Sequence, residues 1–146
     1  MATGEEITAE ALGGADVHTR ISGGADYFCK TQEEGILKVR EILSMEPPQN
    51  IHCHRFDKRP PRVPADEIYE ILPAQVSRGI DVRAFIRAIS DDSEFVEYKR
   101  RFAPGRGENI VTGKIKIDGI PVGVIASNGV GIIFVEAAKK GNRMDC

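Results

Sequence analysis

Apolar positions recur along this chain with two different periods, and the changes of period mark its elements. Thr8 precedes Ala9, Glu10, Ala11 and Leu12, and Gly13 and Gly14 follow. A hydroxyl before a short apolar turn and glycines after it predict a brief helix with both ends marked. Thr31 and Glu34 have the spacing of a capping box, in which each side chain satisfies a backbone donor that the first turn leaves free. Behind them Ile36, Val39 and Leu43, flanked by Leu37 and Ile42, form one apolar stripe, which predicts a second, longer helix. Gly35 inside it costs about 1 kcal/mol relative to alanine.

Beyond residue 80 the pattern sharpens. Asp81 stands as an N-cap before Val82, Phe85, Ile86 and Ile89, whose offsets of 0, 3, 4 and 7 place them on one helical face. Phe95, Val96 and Phe102 suggest a further short helix, closed by Pro104-Gly105. The period then drops to two. Asn109 to Ile117 and Ile120 to Ala126 are rich in β-branched residues, and only Asp118-Gly119 separates them. Asp-Gly between such runs predicts a β-hairpin, because a type I′ turn needs positive φ at both central residues. Ser127-Asn128-Gly129 reads as another turn. Ile132 to Val135 either extend a strand or open a helix running from Glu136 to Lys140.

Prolines 47, 48, 60, 61, 64 and 73 separate these two regions. Proline removes backbone donors and fixes φ, so this stretch reads as a linker draped over a surface. The tetrapeptide Gly13-Gly14-Ala15-Asp16 recurs as Gly23-Gly24-Ala25-Asp26. Two copies are too few for a repeat architecture and predict two loops with similar backbone needs.

Composition changes little in this picture. The 146 residues are 41% hydrophobic and 29% charged, with formal net charge −2. That suits a globular chain and supplies no basic field to attract nucleic acid or anionic lipid. Cysteines 29, 53 and 146 are few, odd in number and far apart, which fits a reducing compartment rather than a disulfide framework. No apolar run approaches a membrane span, and the acidic start MATGEEITAE carries no secretory signal.

The candidate chemistry is sparse. His52-Cys53-His54 offers two imidazoles and a thiol, but no CxxC or HxxxH completes a tetrahedral set, so no metal is expected. Neither a GxSxG elbow nor a GxxxxGK[ST] loop occurs. The glycine pairs read as helix ends more readily than as phosphate cradles. Lys99, Arg100, Arg101 and Arg106 read as a solvated helix C-terminus complementing the dipole. A phosphate contact for a nucleotide-like ligand is the alternative.

A resemblance goes further than these residues do alone. MATGEEITAEALGGADVHTRISGGADY, VPADEIYEILP, IDVRAFIRAISDDSEFVEYK, NIVTGKIKIDGIPVGVIASNG and EAAKKG follow one another as segments do in the carboxyltransferase subunits of biotin-dependent acyl-CoA carboxylases. The methylcrotonyl-CoA type, which belongs to leucine catabolism, is the most similar. The resemblance implies an α/β fold of ClpP/crotonase-like ββα architecture, present here in part. Residues 1–46 would end its first half, 47–80 would link, and 81–146 would open its second half. It implies transfer of a carboxyl group from carboxybiotin, carried on a separate domain or subunit, to an acyl-CoA. Backbone donors would stabilise the enolates, with no protein acid/base pair and no metal.

Implied partners are acyl-CoA, the biotin carboxylase or carrier subunit, and other carboxyltransferase subunits. The implied location is the mitochondrial matrix in a eukaryote and the cytoplasm otherwise. Thr112, Gly113, Pro121, Val122, Gly123, Asn128 and Gly129 match the stretch associated with acyl-CoA contact. Gly13, Gly14 and His18 match a motif whose expected role is loop shaping. The family's glycine-rich oxyanion segments would fall before Met1 and after Cys146, and GNRMDC stands where the family has an apolar helix. The expectation is a fragment without independent catalysis and with apolar faces left open. The alternative is a non-catalytic chain that docks to full-length subunits.

Overall fold

The computed structural model of the chain describes residues 6–46, 57–72, 80–129 and 131–144. His52, Cys53, His54, Cys146 and prolines 47, 48 and 73 lie outside them.

The organising element is an antiparallel sheet of order β1-β2-β3, built from Val96–Tyr98, Ile110–Ile117 and Ile120–Ser127. The predicted hairpin forms in the predicted register: Ile117 pairs with Ile120, and the ladder runs to Ile110 opposite Ser127. Asp118 and Gly119 make the turn with φ of 54° and 80°. Asp91 locks it, its carboxylate accepting from Asp118 N–H at 3.1 Å and Gly119 N–H at 2.6 Å.

Alternation along β2 builds two faces. Val111 and Ile115 join Val82, Ile86 and Phe95 in the core, with Val122, Val124 and Ala126 packed against them. Helix α5, Val82–Ile89, supplies Val82 and Ile86, and the Asp81 carboxylate caps it by accepting from Ala84 N–H at 3.1 Å. Helix α6, Val135–Asn142, covers the opposite face: Gly141 sits over Ile125, which pairs with Thr112.

The N-terminal region is helical. α1 (Ala9–Gly13) is capped by Thr8 as predicted, at 3.2 Å from Ala11 N–H. α2 (Ala15–Val17) continues directly into a π turn, His18–Ser22. α3 spans Gln32–Ser44 behind Thr31, whose hydroxyl accepts from Glu34 N–H at 3.2 Å. The Glu34 carboxylate reaches one residue beyond the usual box, to Lys30 N–H at 2.7 Å. Between the regions, a 3₁₀ turn at Ala65–Glu67 leads into α4, Ile68–Ile71. Residues 57–63 run past the turn end of the sheet, where the Ser93 hydroxyl accepts from Arg62 N–H at 2.9 Å.

Several expectations are corrected. Phe95 to Phe102 form no helix. Val96, Glu97 and Tyr98 pair with Lys114, Gly113 and Thr112 as a strand, and Lys99, with φ of 49°, ends it. A short apolar run cannot announce its own period; the neighbouring ladder decides it. At the end of α5, Ala88 is buried rather than Ile89, because buried Ser90 leaves the helix in an extended conformation and turns the chain inward. The stripe on α3 faces solvent: Ile36, Leu37, Val39 and Leu43 are all more than half exposed. Ile132 to Phe134 form neither strand nor helix, and α6 starts at Val135.

The two glycine tetrapeptides also differ. Gly13 ends α1 and Gly14 begins α2 in an ordinary extended conformation, whereas Gly23 closes the π turn with φ of 66°.

Candidate functional site

The hairpin residues singled out above occupy both faces of the sheet. Thr112, Gly123 and Pro121 lie on the α6 side, paired with Ile125, Lys114 and Lys116 respectively. Gly113 and Val122 lie on the core side. From Thr112 to Pro121 the ladder advances four steps, about 13 Å. These residues therefore do not converge on one pocket. Thr112 is fully buried, and its hydroxyl donates to Tyr98 O at 3.1 Å. Gly113 is needed for sterics: a Cβ there would collide with the Phe95 ring and Val96 O, and would stand 3.0 Å from Glu97 Cα. Val122 packs on the core, while Gly123 is exposed.

Only Asn128 and Gly129 come together, at the far end of the hairpin. Asn128 donates its N–H to Asn109 O at 2.8 Å and its Nδ2 to Glu108 O at 3.3 Å. Gly129, with φ of 95°, faces open space.

Gly14 and His18 stand where α1 passes through α2 into the π turn. A Cβ on Gly14 would strike the Glu10 carboxylate, whereas one on Gly13 would meet only His18 Nε2, at 3.8 Å. The His18 ring contacts Ser22 Oγ through Nδ1 at 3.0 Å, and Ser22 Oγ accepts from Gly24 N–H at 3.2 Å.

What the sequence reading missed is the seam between the N-terminal helices and the sheet. Each Gly-Gly-Ala-Asp copy sends its aspartate to the basic run. Asp16 lies 2.6 Å from Arg101 Nη2, and Asp26 lies 2.6 Å from Lys99 Nζ. Glu46 meets Lys114 at 2.7 Å. Lys99 is buried and also donates to Gly23 O at 2.5 Å, to which Arg143 Nη1 donates at 3.2 Å. Gly23 sits so close to Phe102 that a Cβ would lie 2.6 Å from its ring. The basic run is thus no helix end: Lys99 and Arg101 are held by the two aspartates, while Arg100 and Arg106 stay largely exposed. Arg100 approaches Glu97, and Arg106 approaches Glu136, each at 3.7 Å. The available signal was the repeat itself, since an acid ending each copy faces a later cluster of cations.

Electrostatics within the sheet region are tight. Arg83 of α5 grips Glu97 of β1 through two parallel hydrogen bonds of 2.8 and 2.7 Å. The hydrogen bond to Glu97 raises the Arg83 pKa above its ordinary value. Burial lowers the pKa of Lys140, which is almost wholly inaccessible. Burial, then the charge of Asp26, pushes the Tyr98 hydroxyl up to about 12. Among the described residues no group of three His, Cys, Asp or Glu side chains could hold a metal ion.

Fold and motifs together define the class: this chain belongs to the carboxyl transferase domain family, whose model matches residues 1–145. It is 39% identical over 147 residues to the mitochondrial methylcrotonoyl-CoA carboxylase beta chain of Arabidopsis thaliana, covering 96% of this chain and 24% of that one. Against the Dictyostelium discoideum counterpart it is 35% identical, covering 96% and 23%. Its structure resembles the crystal structure of transcarboxylase 12S with methylmalonyl-coenzyme A and methylmalonic acid bound. There the TM-score is 0.71 at 31% identity, covering 86% of this chain and 24% of that one. The chain therefore spans about a quarter of the length of the relatives it matches, and it has the crotonase-like α/β fold of carboxyltransferase subunits in part.

A biotin enolate needs unpaired backbone donors. At the hairpin ends, the N–H groups of Asp118 and Gly119 are taken by Asp91, and that of Asn128 by Asn109. None of these three donors is free to hold an oxyanion.

Proposed function

We propose that this chain is an internal section of the carboxyltransferase component of a biotin-dependent acyl-CoA carboxylase of the methylcrotonyl-CoA type. In this reading residues 1–46 close the first half, 47–80 connect, and 81–146 open the second half. Biotin arrives on a separate carrier. The biotin carboxylase or carrier subunit and other carboxyltransferase subunits are the partners. The setting is leucine catabolism, in the mitochondrial matrix of a eukaryote or otherwise in the cytoplasm. The hairpin that carries Thr112, Gly113, Pro121, Val122, Gly123, Asn128 and Gly129 is proposed to run near acyl-CoA, with Gly13, Gly14 and His18 shaping the first loop. The section contributes geometry rather than an acid or base, and transfer depends on donors from other segments.

The observation that carries this reading is the collinear family match over residues 1–145. The test is complementation. The section is grafted between the flanking segments of the Arabidopsis relative, and carboxyl transfer from carboxybiotin is measured with methylcrotonyl-CoA and propionyl-CoA. Transfer to methylcrotonyl-CoA in preference supports the proposal. A folded graft with neither transfer nor CoA binding overturns it.

A second reading has support from the exposed stripe of Ile36, Leu37, Val39 and Leu43 on α3: a non-catalytic chain that docks to full-length subunits. Co-elution with a full-length relative on size exclusion supports docking, and a stable monomer that never co-elutes removes it.

A further inference from the structure

A cavity of about 250 Å³ opens along the seam, walled by both regions of the molecule. Its apolar side is made by Met45 at the end of α3, Val96 of β1 and Met144 after α6, all buried. Tyr27 and Tyr98 stand edge to face beside it, with ring centroids 6.3 Å apart and planes at 70°. The volume exceeds the roughly 150 Å³ of an engineered apolar cavity that admits benzene, so a compact organic molecule fits.

The charges at its mouth decide what that molecule is. Asp26 is occupied by Lys99 at 2.6 Å. Lys114 is occupied by Glu46 at 2.7 Å. These pairs cancel. Arg143 is different: its guanidinium makes one hydrogen bond among the described residues, from Nη1 to Gly23 O at 3.2 Å, and no described carboxylate pairs with it. A guanidinium presents a planar fork of donors that matches a carboxylate through two parallel hydrogen bonds. An apolar recess lined by a guanidinium that no described carboxylate neutralises has the layout of a small-ligand site, in which apolar walls supply area and a few polar groups orient.

We propose that this cavity binds a small monocarboxylate, its apolar end among Met45, Val96 and Met144 and its carboxylate on Arg143. Of the seven hairpin residues discussed above only Gly113 lines the cavity. The proposal is independent of carboxyl transfer, and it is tested without CoA or biotin. A bound carboxylate would touch both regions at once and so stabilise the seam by mass action.

The methionines report the test directly. Met45 and Met144 both line the cavity, so methyl-13C labelling of methionine gives two cavity probes. Benzoate titrated into the full chain should shift the Met45 and Met144 methyls saturably. Benzamide, the same shape without charge, should bind more weakly, and Arg143→Gln should weaken benzoate binding by about tenfold. Backbone amide shifts of the hairpin verify that the variant is folded. If they are perturbed, the benzoate-to-benzamide preference of the unaltered chain decides alone. Unsaturable shifts, equal binding of benzamide, or an unchanged affinity in folded Arg143→Gln overturns the proposal.

Discussion

The N-terminal helices and the hairpin region are held by different forces. In the hairpin region, five buried apolar side chains from α5, the β1 approach and β2 form one cluster. In α1 to α3 themselves no apolar side chain is buried, and Met45, which caps α3, is buried against the seam. That region instead presents Asp16, Asp26 and Glu46 to three cations of the hairpin region. Apolar burial is cooperative and is not screened by salt, whereas half-exposed ion pairs are each worth little. The hairpin region should therefore behave as the scaffold and the N-terminal helices as its charged cover.

The sharpest way to break this contrast is through the core. Ile115→Ala removes a side chain that is 1% exposed and should cost about 3 kcal/mol. Urea unfolding should then show both regions lost together, because the cover has no core of its own. Survival of α3 helicity after loss of the hairpin would refute the scaffold-and-cover description.

Gly23→Ala acts on the seam alone. Its φ of 66° and the close approach of the Phe102 ring leave no place for a methyl, at a cost of about 2 kcal/mol. Hydrogen exchange should accelerate across residues 15–27 while the amides of β2 keep their protection.

Salt should give a smaller effect. Raising ionic strength toward 1 M shortens the screening length to about 3 Å and should weaken the Asp16–Arg101 and Glu46–Lys114 pairs by under about 1 kcal/mol each. The contact of buried Lys99 with Asp26 and Gly23 should respond least. Exchange rates of the N-terminal helices measured against salt test this ordering, and a flat profile would mean that charge does not hold the cover.

The gentlest probe is alkaline pH. Lys140 titrates lower when folded, so the unfolded chain binds more protons between its folded pKa and the ordinary value of 10.5, and stability rises through that window. Tyr98 has the opposite sign. Its hydroxyl ionises near 10 unfolded and about 12 folded, so the stability it contributes below pH 10 is lost between 10 and 12. Lys140→Met should remove the rise and Tyr98→Phe the fall, read from urea midpoints across the range. Unaltered profiles in the variants would assign both effects elsewhere.

Much of the local structure was legible in the sequence. Thr8, Thr31 and Asp81 announced three helix starts, since a cap depends on a side chain and the amides next to it. Asp118-Gly119 announced the hairpin and its register, because the turn geometry admits few residue types. The candidate hairpin residues were legible as a stretch and not as a site. Which face each one takes follows from strand alternation, but what covers each face does not.

The sequence alone determined, then, what neighbours in the chain decide: caps, turns and the two-residue period of β2 and β3. Tertiary structure decided what distant residues settle between them. Val96 to Tyr98 became a strand only because β2 offered a free ladder. The aspartates of two look-alike tetrapeptides found Arg101 and Lys99 across 85 and 73 positions of chain. The apolar stripe on α3 stayed in solvent because no described element packs over it. Local patterns carry the energy of a turn or a cap, while pairing between remote segments depends on a geometry that no short stretch of sequence contains.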